Sequence, residues 1–132
     1  MSIRKKEVKE LENKAKEFLQ GARRALSDGH YNLSCFLYEQ ALQLLLKSKL
    51  LAKYGDYPRT HSLLVLLNQM ENDIPSITSF IKKNRASISS LEDAYILARY
   101  SEKVYVREDA EDANRLFDKI TEIIGQSEKA KE

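Results

Sequence analysis

The chain has 132 residues, 42 % apolar and 32 % charged, with a formal charge of +2. That length fits one domain with a real core, and the near-neutral balance gives no global electrostatic case for nucleic acid. Only four Gly and two Pro exclude a disordered or β-rich composition, and the single Cys35 excludes an internal disulfide or a cysteine-cluster metal site. No apolar run approaches the roughly 20 residues of a membrane span. The basic start, Met-Ser-Ile-Arg-Lys-Lys, lacks the apolar run of a secretory signal, so a cytoplasmic protein with no membrane segment is expected.

A first helix is predicted from Arg4 to Ser27, with Val8, Leu11, Ala15, Phe18, Leu19, Ala22 and Leu26 at helical spacing. Asp28-Gly29 supplies a left-handed exit, and so short a connection makes the first two helices antiparallel neighbours. The second helix, His30 to Gly55, organises the chain. Its stripe of Leu33, Phe36, Leu37, Ala41, Leu44, Leu45 and Leu51 widens toward a full circle between Ala41 and Leu46, which suits a helix surrounded by neighbours. Glu39, Gln40, Gln43, Lys47 and Lys49 interrupt it, and each needs water, a partner group or a ligand.

Pro58 pushes Tyr57 out of helical geometry, so residues 56–59 read as a turn. Thr60 is then the cap of a third helix carrying Leu63, Leu64, Leu66, Leu67 and Met70. Asn72-Asp73-Ile74-Pro75 breaks it, and Pro75 opens a further short piece with Ile77, Phe80 and Ile81. Lys82-Lys83-Asn84-Arg85 is a basic cluster in or before a loop, read as solvated surface or, alternatively, a phosphate or nucleic-acid contact. Ser89 and Glu92 fit a capping box at the head of a fourth long helix that reaches Val104 or Tyr105. Glu108-Asp109 opens a last helix with Ala110, Ala113, Leu116, Phe117, Ile120, Ile123 and Ile124 on one face. Gly125 closes it, and residues 126–132 form a charged, fraying tail. The expected architecture is all-α: a single domain over 1–132, its core within 4–125, built as an up-and-down bundle of four main helices and one shorter broken helix.

Gly-rich phosphate loops, His-Glu-x-x-His and Gly-x-Ser-x-Gly are absent. His30 and His61 are too few for a metal cluster, so no metal, cofactor or standard catalytic set is expected. What remains is Glu39, Gln40, Lys47, Tyr57, Arg59, His61, Tyr95, Arg99, Tyr100 and Tyr105. Tyr95 and Arg99, four apart, share a helical face. Singly these residues read as core tyrosines, ordinary salt bridges and a helix-start histidine; together they can line a groove for a phosphate or a base.

The order Ala22-x-x-Ala25-Leu26, Gly29-His30-Tyr31, Phe36-x-x-Glu39-Gln40-Ala41, Leu46-Lys47-x-x-Leu50-Leu51, Arg59-Thr60-His61-Ser62-Leu63 and Tyr95-x-x-Ala98-Arg99-Tyr100 resembles the HEPN domain family, from Lys14 to Tyr105. The resemblance implies a four- to five-helix up-and-down bundle, homodimerisation and, as in many prokaryotic members, partnership with a small nucleotidyltransferase. Many members of that family are metal-independent ribonucleases in which an Arg holds phosphate charge and a His a few residues later moves a proton. Here Arg99 to Tyr105 keeps the Arg and a Tyr and has no His. Arg23 or Arg24 with His30 meets the bare spacing, but across the turn between the first two helices, away from the family's place.

The resemblance therefore points to a non-catalytic nucleotide-binding or accessory protein. Lys47 and Arg99 would meet phosphates, Tyr95 or Tyr100 would face a base, and Arg59 or His61 would stand at the rim. His61 itself is read as a helix-start structural residue or a ligand contact. The partners implied are an ATP-like nucleotide, a nucleotidyltransferase subunit, RNA and a second copy of the chain. The alternative is a metal-independent ribonuclease toxin of a toxin–antitoxin pair, with an atypical active site.

Overall fold

The computed structural model describes residues 2–100 and 103–131, with side chains described at 2–96 and 103–131. Five helices follow one another: α1 (Ile3–Ser27), α2 (Tyr31–Tyr54), α3 (Leu63–Asn68), α4 (Ser76–Tyr100) and α5 (Arg107–Ala130). Among the described residues there is no strand, and no helix is long and apolar enough to cross a membrane.

Ser2 caps α1 by accepting from the Lys5 amide, and Gly29 turns the chain at φ 80°. The buried Ser34 hydroxyl then donates to the Ala22 carbonyl at 2.8 Å, which pins the antiparallel α1–α2 pair. Gly21 lets the two helices approach, since a Cβ there would meet Leu37 Cδ1 at 3.3 Å. At the far end Arg4 Nη2 donates to the Ala52 carbonyl at 2.6 Å, satisfying one of the open carbonyls of the α2 terminus.

α2 is the centre of the molecule, in contact with each of the other four helices. Its inward line is Tyr38, Ala41, Leu42, Leu46 and Leu50, with no residue more than 2 % exposed. The helix is thus rotated from the leucine stripe: Leu33 is 49 % exposed, while Glu39 is fully buried. Tyr38 can point inward because its hydroxyl reaches Asn114 Oδ1 on α5 at 2.7 Å. Leu63, Leu66 and Leu67 of α3, Ile77, Ile88 and Leu91 of α4, and Ile120 of α5 close the core around it.

Several boundaries differ from the sequence reading. Ser62, not Thr60, caps α3 by accepting from the Val65 amide, and Thr60 Oγ1 accepts from the Ser62 amide instead. The broken helix and the fourth helix follow each other within α4 as two helical pieces that meet at a kink at Asn84, where the backbone is not helical (φ −121°, ψ 17°) and the side-chain amide donates to the Phe80 carbonyl at 2.9 Å. Lys82–Arg85 therefore spans the kink. Ile77, Phe80, Ile81, Ile88 and Leu91 are all buried in the same core, and burying Ile88 and Leu91 keeps the chain helical through Ser89, where a capping box would have started afresh. Glu92 crosses to α3, accepting from Ser62 Oγ at 2.8 Å and the Leu64 amide at 2.9 Å.

α4 ends at Tyr100, so Val104 and Tyr105 belong to the segment leading into α5, where Asp109 accepts from the Val106 amide at 2.8 Å. Gly125 does not close α5, which continues to Ala130. An ion pair of 3.1 Å between Lys49 and Glu128 joins that last stretch to α2.

Candidate functional site: a polar ledge between α2, the 55–62 loop and α4

Four of the six residues singled out for ligand binding fall into two contacts made through the 55–62 loop: Lys47 of α2 and Arg59 each approach the Tyr57 ring, and His61 meets Tyr95 of α4. The loop is shaped locally. Gly55 leaves α2 at φ 80°, Asp56 Oδ1 accepts from the Tyr57 amide at 2.8 Å, and the Thr60 amide closes onto the Pro58 carbonyl at 3.0 Å. It is held to α2 by Gln43, whose Nε2 donates to Glu39 Oε2 at 2.6 Å and to the His61 carbonyl at 3.0 Å. Gln40 Nε2 donates to the other Glu39 oxygen at 2.8 Å. Burial pushes the Glu39 carboxyl up to about 7; the two amide donors oppose that rise, the Glu92 charge adds to it and the Lys47 charge opposes it.

The Tyr57 ring is approached by two cations, the Arg59 guanidinium 4.6 Å and Lys47 Nζ 5.7 Å from its centroid. Partial burial lowers the Lys47 ammonium, partly offset by the Glu39 charge and reinforced by the Arg59 charge. Arg59 is 75 % exposed and only loosely paired with Asp56, at 3.6 Å, so redirecting it toward a ligand sacrifices little. At the end of the loop the His61 and Tyr95 rings stack, centroids 4.3 Å apart and planes 19° from parallel. The Tyr95 hydroxyl stands 3.3 Å from His61 Nε2. Glu92 lies one turn before Tyr95, so a single face of α4 supplies both the anchor of the α3 start and the ring partner of His61.

The ledge thus offers two cations, an aromatic pair and a buried carboxyl that fixes the loop between them. That is a set able to hold a phosphate and to stack a planar group. Arg99 and Tyr100 are carried by the last turn of α4, and their side chains lie outside the described residues. Tyr105 is not part of the ledge. It is buried with Cys35, Ala94 and Ala110, where its hydroxyl donates to the Ser90 carbonyl at 3.2 Å, and burial pushes both that phenol and the Cys35 thiol upward, the thiol to about 12.

Arg23 is drawn to α5, with Nη2 2.9 Å from Asp118 and Nε 3.3 Å from Asn114. Arg24 is 85 % exposed and pairs with Asp28 at 3.9 Å, while His30 is the exposed residue preceding α2. Both arginines therefore have carboxylate partners of their own. Among the described residues no group of His, Cys, Asp or Glu side chains is arranged to hold a metal. Glu92 was missed as a site residue because its sequence setting matches a local cap. Its spacing of three from Tyr95 was the one signal that it shares the ledge's face.

A sequence model of the HEPN domain matches residues 8–129. No curated protein matches the chain significantly. Among solved structures it is similar to TT1696 from Thermus thermophilus, at 26 % identity and a TM-score of 0.72, covering 91 % of this chain and 97 % of that one. It is also similar to ST0689, described as an archaeal HEPN homologue, at 27 % identity and a TM-score of 0.64 over the same shares of the two chains. With the family pattern matched across nearly its whole length and the same helical architecture beneath it, this chain belongs to the HEPN domain family.

Proposed function

We propose that this HEPN protein is a nucleotide-binding or accessory subunit that acts with a minimal nucleotidyltransferase. What supports the reading is that the 55–62 loop carries both a Tyr57 ring approached by Lys47 and Arg59 and a His61 ring stacked on Tyr95. Lys47 and Arg59 meet the phosphates of an ATP-like ligand, and the base extends the His61–Tyr95 stack; Arg99, four residues beyond Tyr95, adds charge from the end of α4. Calorimetric titration with ATP tests this. Arg59→Ala and Lys47→Ala should each weaken binding about tenfold, the order expected for a lost charge-assisted contact; affinity indifferent to both removes the assignment. Coexpression with a small nucleotidyltransferase, followed by copurification, tests the partnership.

Homodimerisation is part of the same reading. Asn32 Oδ1 accepts from the Tyr105 amide at 2.7 Å, which ties together the two segments that carry the exposed Leu33 and the exposed Val104 and Val106. Such an apolar patch favours a second copy. Val104→Glu should shift a sedimentation profile toward monomer.

The second reading, a metal-independent ribonuclease, draws on the contact between His61 Nε2 and the Tyr95 hydroxyl, with Arg59 two residues earlier in the same loop, an imidazole that does not depend on the missing family histidine. Incubation with total tRNA in the presence of a chelator separates the two. Cleavage that disappears in His61→Ala replaces the first reading with the second.

A further inference from the structure

Glu39 is fully buried, yet among the described residues its two oxygens meet only amide donors, Gln40 Nε2 at 2.8 Å and Gln43 Nε2 at 2.6 Å. None of the described Lys, Arg or His side chains is within ion-pair distance of it. A carboxylate in that setting has lost its water without gaining a counter-charge, so burial favours the protonated acid. The carboxyl is accordingly raised to about 7.

The neighbour best able to give way is the 55–62 loop, of which no residue is buried. Its end is tied down between two acidic groups. On one side the Gln43 amide that serves Glu39 also donates to the His61 carbonyl at 3.0 Å; on the other, Glu92 Oε1 accepts from Ser62 Oγ at 2.8 Å. Ionising Glu39 therefore adds a second negative charge around the loop's end, close to a carbonyl oxygen that shares its donor. The other titratable or charged groups that meet this loop are Lys47 of α2, Tyr95 of α4 and the loop's own Asp56, Arg59 and His61. α3 carries no charged residue, and on the α1–α5 side of α2 Arg23 and Asp118 pair with each other at 2.9 Å.

We propose that the 55–62 loop is a proton-governed lid, which rests against the Glu39–Gln43 pair while Glu39 holds its proton and lifts to admit water when Glu39 ionises. A carboxyl raised by burial favours the closed, dry state below its folded value and the open, hydrated state above it. With about 7 for the closed state and an ordinary 4.5 once hydrated, the open fraction rises about tenfold between about pH 6 and about pH 8. Arg59 and His61 ride on the lid, so the same proton governs how they are presented to a ligand. That consequence rests on the binding reading above; the lid itself does not.

Amide hydrogen exchange of the free chain, followed by NMR and divided at each pH by the intrinsic rate of an unstructured peptide, tests the lid without any ligand. The Tyr57, Thr60 and Ser62 amides are hydrogen-bonded within the loop, and their protection should fall about tenfold from about pH 6 to about pH 8. Glu39→Gln should hold it level. His61→Asn, which removes the imidazole and keeps the backbone carbonyl, should leave the fall intact. Protection that is flat in the parent, that still falls in Glu39→Gln, or whose fall vanishes in His61→Asn overturns the proposal; the parent and His61→Asn decide it even where Glu39→Gln does not fold. Loop protection equal to that of the buried Leu42 amide overturns it too, since the loop would then open only with the whole molecule.

Discussion

Replacing Glu39 by Gln should change how the stability of this protein depends on pH. Glu39 is fully buried, and its carboxyl is raised from an ordinary 4.5 to about 7, first of all by that burial. A carboxyl whose folded value lies above its unfolded value holds its proton more tightly in the folded state. Its stabilising contribution is therefore complete below about pH 4.5 and is lost as pH rises to about 7. At roughly 1.4 kcal/mol for each pH unit, the whole interval corresponds to about 3 kcal/mol.

The substituted amide would be neutral throughout and nearly isosteric with the protonated acid, but it sets one amide group against the Gln40 or Gln43 donors, a mismatch of about 1 kcal/mol. Glu39→Gln should thus be slightly less stable than the parent near pH 5 and about 2 kcal/mol more stable near pH 8. Urea unfolding followed by circular dichroism across that range measures both curves. Because every other ionisable group is common to the two proteins, the difference between the curves isolates Glu39. Parallel curves, with no change in the gap between about pH 5 and pH 8, would refute the argument that this carboxyl is buried at a desolvation cost.

Glu92→Ala strips the acceptor from Ser62 Oγ and the Leu64 amide at the start of α3 and should lower unfolding stability by about 2 kcal/mol; a loss within the error of denaturant titration would show that water replaces it freely. Gly55→Ala forces a side chain into φ 80° and brings Cβ to 3.1 Å from Arg4 Nη1, so a loss of about 1 kcal/mol is expected in a thermal melt. Leu42→Ala opens a cavity at a fully buried position on the central helix and should cost about 2–5 kcal/mol, read from the urea midpoint with an unchanged slope.

The sequence by itself determined the helical class, the central place of α2, the α1–α2 turn at Asp28-Gly29 and the apolar face of α5, because each rests on local periodicity or on a backbone requirement of glycine. The family pattern was also legible, since it is carried by order and spacing. Tertiary structure decided the rest. The rotation of α2 followed from Tyr38 finding Asn114 and from Gln43 and Gln40 satisfying a buried Glu39, contacts between groups whose meeting no periodicity encodes. Ser89-Glu92 reads locally as a helix start, yet the second piece of α4 is already helical there, with Ile88 and Leu91 buried, which freed Glu92 to anchor the start of α3. Lys47, Arg59, His61 and Tyr95 could be named from the chain, but that Lys47 and Arg59 approach Tyr57 while His61 stacks on Tyr95 was fixed only by packing, because helix rotation and loop path are set by side chains far apart in sequence.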